Sequence, residues 1–170
     1  MNGKTPAVAL INPKFPHNVG GVLRACAAFG VPQLWVTGQR AEWESLKRLP
    51  REERMRIYKD QVELIKDERP FDQFDKDVTP VAVEVDPTAE ILTNFEHPEN
   101  ALYVFGPEDG TLARGIKVKC HRFVIIPSDH CLNLASAVSC VLMHRRMQRQ
   151  LLGLEPIYPA YETIKEERGY

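Results

Sequence analysis

The stretch RFVIIPSDHCLNLASAVSCVLMHRRMQRQ, residues 122–150, decides the fold class of this chain. Phe123 to Ile126 predict a short buried strand, and the polar residues Pro127 to Asn133 predict a loop. From Leu134 to roughly Gln150, apolar residues recur at spacings of three and four, which predicts a helix. In open α/β sheets, ligands bind where strands end and such loops begin. We therefore expect part of a functional site in this loop.

Two earlier stretches have the same strand–loop–helix form. Ala7 to Ile11 predict a strand, followed by a loop with two prolines and by a helix with Asn18 as its N-cap and Gly30 at its end. Ala101 to Phe105 predict another strand, followed by the turn Gly106-Pro107-Glu108. Three loops of one kind then lie at the same edge of a sheet.

The rest of the chain continues the alternation of strands and helices. The remaining predicted elements are strands at Gln33–Thr37 and Pro80–Val85, short helices at Thr88–Thr93 and Leu112–Gly115, and solvated helical structure between residues 40 and 69. This alternation predicts an α/β fold with a mostly parallel sheet and helices on both faces. We expect a single domain over residues 1–170.

Composition excludes several classes of protein. A hydrophobic content of 44% and a charged content of 26% are typical of a soluble globular chain. There is no apolar run of membrane-spanning length and no signal-peptide pattern, so we expect a cytoplasmic location. The net charge of −1 argues against nucleic-acid binding by bulk charge but permits a local basic face. None of the four cysteines forms a CxxC pair, which predicts reduced, mostly buried thiols and no metal site.

Four polar residues on or near the three loops are candidates for a site. Arg24 is the only charged residue of a helix that is apolar nearly all round, and a buried charge must be paired or used. On its own, Arg24 fits a side chain that reaches solvent or pairs with a carboxylate better than it fits a functional group. Asn18 and Asn133 fit helix caps, and Glu108 fits a carboxylate at a helix N-terminus. Together, these groups amid apolar structure favour a small-molecule site.

The stretches NPKFPHNVGGVLRACAAFG, LYVFGPEDGTL and FVIIPSDHCLNLASAVSCVL resemble, in order, the three motifs of the TrmH-type SPOUT RNA methyltransferases. The resemblance implies that the C-terminal part of the chain is threaded into a trefoil knot. Residues 100–152 would then form the knotted part that binds the cofactor and dimerises. It also implies a homodimer in which the first and last helices pack across the interface.

The same resemblance implies transfer of a methyl group from S-adenosylmethionine to a ribose 2′-hydroxyl of RNA, with tRNA favoured over rRNA. Arg24 would stabilise negative charge developing on the hydroxyl oxygen, and Asn18, Glu108 and Asn133 would complete the catalytic set. The implied cofactor-binding residues are Val104, Phe105, Gly106, Ile125, Ile126, Ser128, Cys131 and Leu132. The candidates for gripping RNA are Arg145, Arg146 and Arg149, with the basic residues between Lys47 and Lys59.

The third motif departs from the family pattern, because Cys131 stands where serine is usual and Asp129-His130 replace smaller residues. Three alternatives stay open beside an rRNA enzyme. One is an RNA-binding dimer with little or no transfer activity. Another is a hydrolase that uses Cys131 as nucleophile beside His130. The last is a dinucleotide-dependent oxidoreductase, against which the missing GxGxxG motif argues.

Overall fold

Seven parallel strands form one sheet in the computed structural model, which describes residues 3–42 and 61–157. Their bounds are β1 Ala7–Leu10, β2 Gln33–Val36, β3 Glu63–Lys66, β4 Thr79–Val83, β5 Glu90–Ile91, β6 Ala101–Phe105 and β7 Arg122–Ile125. The order across the sheet is β3-β2-β1-β6-β4-β7-β5, and every described pairing is parallel. The predicted α/β class is confirmed.

Helices cover the sheet unequally. The described helices are α1 Pro16–Ala28, α2 Arg114–Lys117 and α3 Leu134–Leu151, with 3-10 turns at Pro70–Gln73 and Leu92–Asn94. In β1 the side chains of Val8 and Leu10 join the core beneath α1 and α3, whereas Ala7 and Ala9 join the core on the other face. This alternation is the two-residue period of a strand.

The two long helices pack closely on one face. A Cβ atom added at Gly21 would lie 2.8 Å from the Cβ of Ala135, so a larger residue would force α1 and α3 apart. Glycine at this position therefore brings the start of α3 next to the first turns of α1.

The strand order brings four loops to one edge of the sheet. Because β1, β6, β4 and β7 are consecutive neighbours and parallel, their carboxyl ends lie side by side. The chain runs outward from β1 through β2 to β3 and then crosses to the far side of β6. Such a reversal of direction is where open α/β sheets bind ligands.

The predicted role of Asn18 as N-cap is wrong. Helix α1 begins earlier, at Pro16, with Phe15 as its N-cap in an extended conformation. Proline is favoured at the first helical position, because its fixed φ suits the helix and its missing N–H has no partner there anyway. The side chain of Asn18 is thus available for tertiary contacts.

The predicted helix at Thr88–Thr93 is also wrong. The Asp86 carboxylate accepts hydrogen bonds from both the backbone N–H and the hydroxyl of Thr88, which closes a local turn in place of a helix. Glu90 and Ile91 then extend and pair with β7, and a 3-10 turn follows. The short helix predicted at Leu112–Gly115 begins two residues later, as α2.

The prediction of helical structure over residues 40–69 is wrong at β3, which lies between charged neighbours. Leu64 and Ile65 pack against the two cores on opposite faces of the sheet, and this burial outweighs the flanking charges. The basic residues between Lys47 and Lys59 lie outside the described residues, as does the chain beyond Ile157.

Two of the four thiols differ from prediction, since Cys26 and Cys120 are buried but Cys131 and Cys140 are exposed. Within residues 3–42 and 61–157, none of the helices has the length and apolarity to cross a bilayer. The single domain over residues 1–170 and the threading of residues 100–152 into a knot stay predictions.

Candidate active site

The loops at the carboxyl edge of the sheet surround an open cavity of about 500 Å³. Its lining combines apolar groups with carboxylates and amides, a mixture suited to a ligand of nucleoside size or larger. The lining residues at the start of α1 and the end of β4 are Phe15, His17, Asn18, Val83, Glu84 and Val85. Those after β6 and β7 are Phe105 to Glu108, Gly110, Ile125, Ile126, Ser128 and Cys131 to Leu134, with Ala137.

Glu108 fastens the loop after β6 to the start of α1. Its carboxylate accepts hydrogen bonds from the backbone N–H groups of Lys14 and Phe15, at 2.7 and 3.3 Å. It also accepts one from the side-chain Nδ2 of Asn18, at 2.7 Å. Asn18 is only 4% exposed, so this contact satisfies a buried donor.

Asn18 continues the connection to the third loop. Its Oδ1 accepts a hydrogen bond from Nδ2 of Asn133 at 2.9 Å. The Oδ1 of Asn133 in turn accepts from the backbone N–H of Ala135 at 2.9 Å, which caps α3. Glu108, Asn18 and Asn133, called here the amide relay, therefore tie three loops that are far apart in sequence around one cavity.

Glu108, the carboxylate of the amide relay, is ionised at neutral pH. Burial opposes the charge of Glu108, but the hydrogen bonds from Asn18, Lys14 and Phe15 together outweigh that effect. The pKa of Glu108 therefore lies below its usual value. Such a carboxylate accepts hydrogen bonds and is poorly suited to supply a proton.

Two further carboxylates hold the rim. Asp109 accepts a bidentate pair of bonds from Arg40, at 2.9 and 2.7 Å, and lies 3.3 Å from Nζ of Lys14. These contacts, those from Arg40 foremost, lower the pKa of Asp109 to about 2. Glu84 accepts from the backbone N–H of Leu112 at 2.7 Å, which joins the end of β4 to the loop after β6.

Gly106 allows the turn after β6 to pack closely against Leu112. A Cβ atom there would lie 3.3 Å from the backbone nitrogen of Leu112 and 3.4 Å from its Cγ, tighter than usual contacts. The glycine therefore lets the turn after β6 fold closely onto Leu112 while its backbone lines the cavity.

Three of the four predicted catalytic residues meet in the amide relay, and Arg24 does not. Arg24 is exposed and does not line the cavity. With His17, Gly21 and Ala28 it forms the least buried stripe of α1, at spacings of three and four. The rest of α1 is largely buried, so the helix is covered on more than one side but not along this stripe.

The predicted cofactor residues lie at the cavity with one exception. The lining includes Phe105, Gly106, Ile125, Ile126, Ser128, Cys131 and Leu132. The side chain of Val104 instead packs into the core on the opposite face of the sheet. His130 is not among the lining residues, so the cavity does not bring its ring together with Cys131.

The predicted RNA-binding arginines on α3 have partners within the chain. Arg145 is 6% exposed and donates to the carbonyl groups of Pro98 and Glu99. Arg149 forms ion pairs with Glu99 and Glu155, and Arg146 pairs with Glu155 at 2.8 Å. These contacts give the three arginines a structural role, since they hold the segment before β6 and the end of α3.

Sequence reasoning missed Phe15, His17 and Glu84 as cavity residues. Phe15 lies between the two prolines of the first loop, and His17 follows the second. Aromatic residues on such a short loop could have indicated a binding surface. Glu84 carries no such signal in the sequence, since it is one of many carboxylates. Among the residues that the structure describes, no cluster of His, Cys, Asp and Glu side chains could hold a metal ion.

The chain belongs to the SpoU rRNA Methylase family, whose model matches residues 6–143. This membership confirms the resemblance drawn from the three motifs. A comparison with curated proteins gives no match.

Solved structures share the fold. The chain is similar to the SpoU methyltransferase AviRb from Streptomyces viridochromogenes, solved with the cofactor AdoMet, with a TM-score of 0.71 and 22% identity over 84% of this chain. It spans only 57% of the length of AviRb. It is also similar to the A. aeolicus TrmH/SpoU tRNA modifying enzyme, with a TM-score of 0.74 and 19% identity over 98% of this chain and 87% of that one. A structure concerned with the 2-OH methylation of C/U34 on tRNA gives a TM-score of 0.68 and 25% identity over 86% of this chain and 91% of that one.

Proposed function

We propose that the chain is an S-adenosylmethionine-dependent RNA methyltransferase that modifies a ribose 2′-hydroxyl of tRNA. The observation that carries this proposal is the amide relay, which holds the three motif loops of the family around one cavity. Family membership and the AdoMet complex of AviRb support the same cofactor here.

The residues present fit S-adenosylmethionine. Ile125, Ile126 and Leu132 offer an apolar surface for the adenine ring, and Gly106 lines the same cavity with its backbone. Glu84 and Ser128 add polar groups that can meet the ribose and amino acid parts. When bound, the cofactor supplies a methyl group on a positively charged sulfur, open to attack by an oxygen in line with the bond that breaks.

The protein's own contribution would be positioning and electrostatics. A 2′-hydroxyl is a poor nucleophile until its proton leaves or the charge on its oxygen is stabilised. We assign that stabilisation to the guanidinium of Arg24. Glu108 and Asn133 would hold the first turn of α1 and the start of α3 in the productive arrangement.

A homodimer would complete this site. Arg24 is exposed on α1 and is not among the residues that line its own chain's cavity. On α3, Met143, Met147 and Leu151 are exposed at spacings of four, which makes an exposed apolar stripe. We infer that both helices pack against a second copy of the chain.

The preference for tRNA is supported by two of the similar structures. Both concern tRNA, and the chain matches 87% and 91% of their lengths. We expect activity in the cytoplasm, where tRNA is processed.

The test is methyl transfer by the purified protein from radiolabelled S-adenosylmethionine, first to unfractionated tRNA and then to rRNA. Nuclease digestion and mass spectrometry would identify the labelled nucleoside. We expect 2′-O-methyl nucleosides from tRNA, and label in rRNA alone would move the assignment to the rRNA alternative. RNA binding without transfer would favour the inactive dimer. Full methyl-transfer activity in a Cys131→Ser variant would exclude a hydrolase that depends on the Cys131 thiol.

A further inference from the structure

Two aromatic rings stand together at the mouth of the cavity. Phe15 is 40% exposed, and its ring stacks on that of His17 with centroids 5.3 Å apart and planes 23° from parallel. Both rings line the cavity, and Nζ of Lys14 lies 5.2 Å from the centroid of the Phe15 ring. Phe15 and His17 are called here the ring pair.

The backbone holds the ring pair in place. The N–H of Phe15 donates to Glu108, and Pro16 between the two rings fixes the first turn of α1. Asp109 also holds Lys14, the residue before Phe15, with its carboxylate 3.3 Å from Nζ. The rings are therefore presented on a preorganised turn, so a ligand that stacks on them has little ordering cost to overcome.

The ring pair belongs to a different part of the lining from the residues assigned to the cofactor. The cofactor residues come from the ends of β6 and β7, whereas the ring pair belongs to the start of α1. The part of the cavity lined by the start of α1 is therefore available to the molecule that accepts the methyl group.

We propose that the ring pair is the stacking surface for the base of the acceptor nucleotide. This inference rests on the proposed function and adds the class of substrate. Stacking uses the face of a base, which all four bases have, so the ring pair tolerates any base. A base inside a duplex already has both faces covered, so the acceptor is an unpaired nucleotide in a loop or single strand.

The test compares three purified variants with the parent protein. Phe15→Ala removes the stacking ring, Phe15→Trp keeps a larger one, and Val118→Ala removes an exposed apolar side chain outside the cavity lining. The measurements are kcat and KM with unfractionated tRNA, affinity for S-adenosylmethionine by calorimetry, and the change in tryptophan fluorescence when tRNA is added.

Phe15→Ala should raise KM for tRNA about tenfold or more, the effect of losing one stacked base. Its kcat should change only a few-fold, since the stack forms before the transition state. Its cofactor affinity should stay within about twofold, because the ring would meet the base and not the cofactor. Phe15→Trp should keep the KM of the parent, and tRNA should quench its fluorescence beyond any change in the parent. Val118→Ala should match the parent.

An unchanged KM in Phe15→Ala would overturn the inference while leaving the proposed function intact. A loss of cofactor affinity as large as the loss for tRNA would also overturn it, since the ring would then serve the cofactor. A change in oligomeric state would do the same, because the ring would then belong to a subunit interface. If the parent transfers no methyl group to any RNA, the proposed function fails. The fluorescence measurement still tests the stacking role in that case. Quenching of Phe15→Trp by tRNA would support it, and no quenching would overturn it.

Discussion

The replacement Glu108→Gln tests whether the amide relay holds the cavity together. The neutral amide keeps the size of the side chain but turns an NH₂ group toward one of three donors, namely two backbone N–H groups and the Nδ2 of Asn18. A hydrogen bond to a charged group contributes about 1.5–3 kcal/mol. Because the carboxylate is partly exposed, we expect the low end, a loss of about 2 kcal/mol in the free energy of unfolding near neutral pH.

This loss should depend on pH in a defined direction. The pKa of Glu108 in the folded protein lies below its ordinary value of 4.5. The stabilisation by the carboxylate is therefore present above that ordinary value and disappears as the pH falls through the folded pKa. The difference between parent and variant should stay constant from neutral pH down to about pH 5 and shrink below it.

Urea unfolding followed by circular dichroism, at about pH 7 and again at about pH 4, measures both effects. Glu96→Gln is the matched control, an exposed carboxylate for which the described residues give no side-chain hydrogen bond. A variant as stable as the control at neutral pH would refute the role of Glu108. So would a difference between parent and variant that is the same at both pH values.

Four other outcomes are expected. Arg24→Ala should abolish methyl transfer while affinity for S-adenosylmethionine by calorimetry stays within a few-fold, and equal activity would defeat the assigned role. Gly106→Ala should weaken that affinity several-fold, because its Cβ would lie only 3.3 Å from a backbone nitrogen, and an unaltered affinity would show that the turn can yield. Asn133→Ala should lower the free energy of unfolding by about 1 kcal/mol through loss of the α3 cap, against no loss in Ser136→Ala. Burial and the neighbouring charges lower the pKa of His97 to about 3, so its ring should stay neutral between about pH 5 and 8 in NMR titration, and a midpoint near 6.5 would contradict that environment.

The strongest sequence patterns predicted the elements that build the core. The strand β6 is apolar at every position and buried at every position, so its pattern has one interpretation. In α3 the residues Leu134, Val138, Val141 and Leu142 are buried as their spacing predicts. The pattern failed where a local contact or a partner strand decided the outcome, as in the Asp86 turn and in β3.

For the site, residue types were predictable and contacts were not. Asn18, Glu108 and Asn133 were identified from their loops, but the bonds between them join positions 90 and 115 residues apart. No local pattern encodes such distances. Likewise, the sequence shows the charges of Arg146 and Arg149 but not that both pair with Glu155 in the fold.

The amide relay also has a direction. A carboxylate can only accept, so Asn18 must turn its NH₂ group to Glu108 and its oxygen to Asn133, which must then turn its own oxygen to α3. One acceptor-only group thus fixes the orientation of two amides and the starting point of a helix. An Asn-to-Asp exchange at either middle position replaces an NH₂ group by an oxygen and would set oxygen against oxygen at one link of this line. The three loops that line the cavity are in this way linked by one directed series of hydrogen bonds.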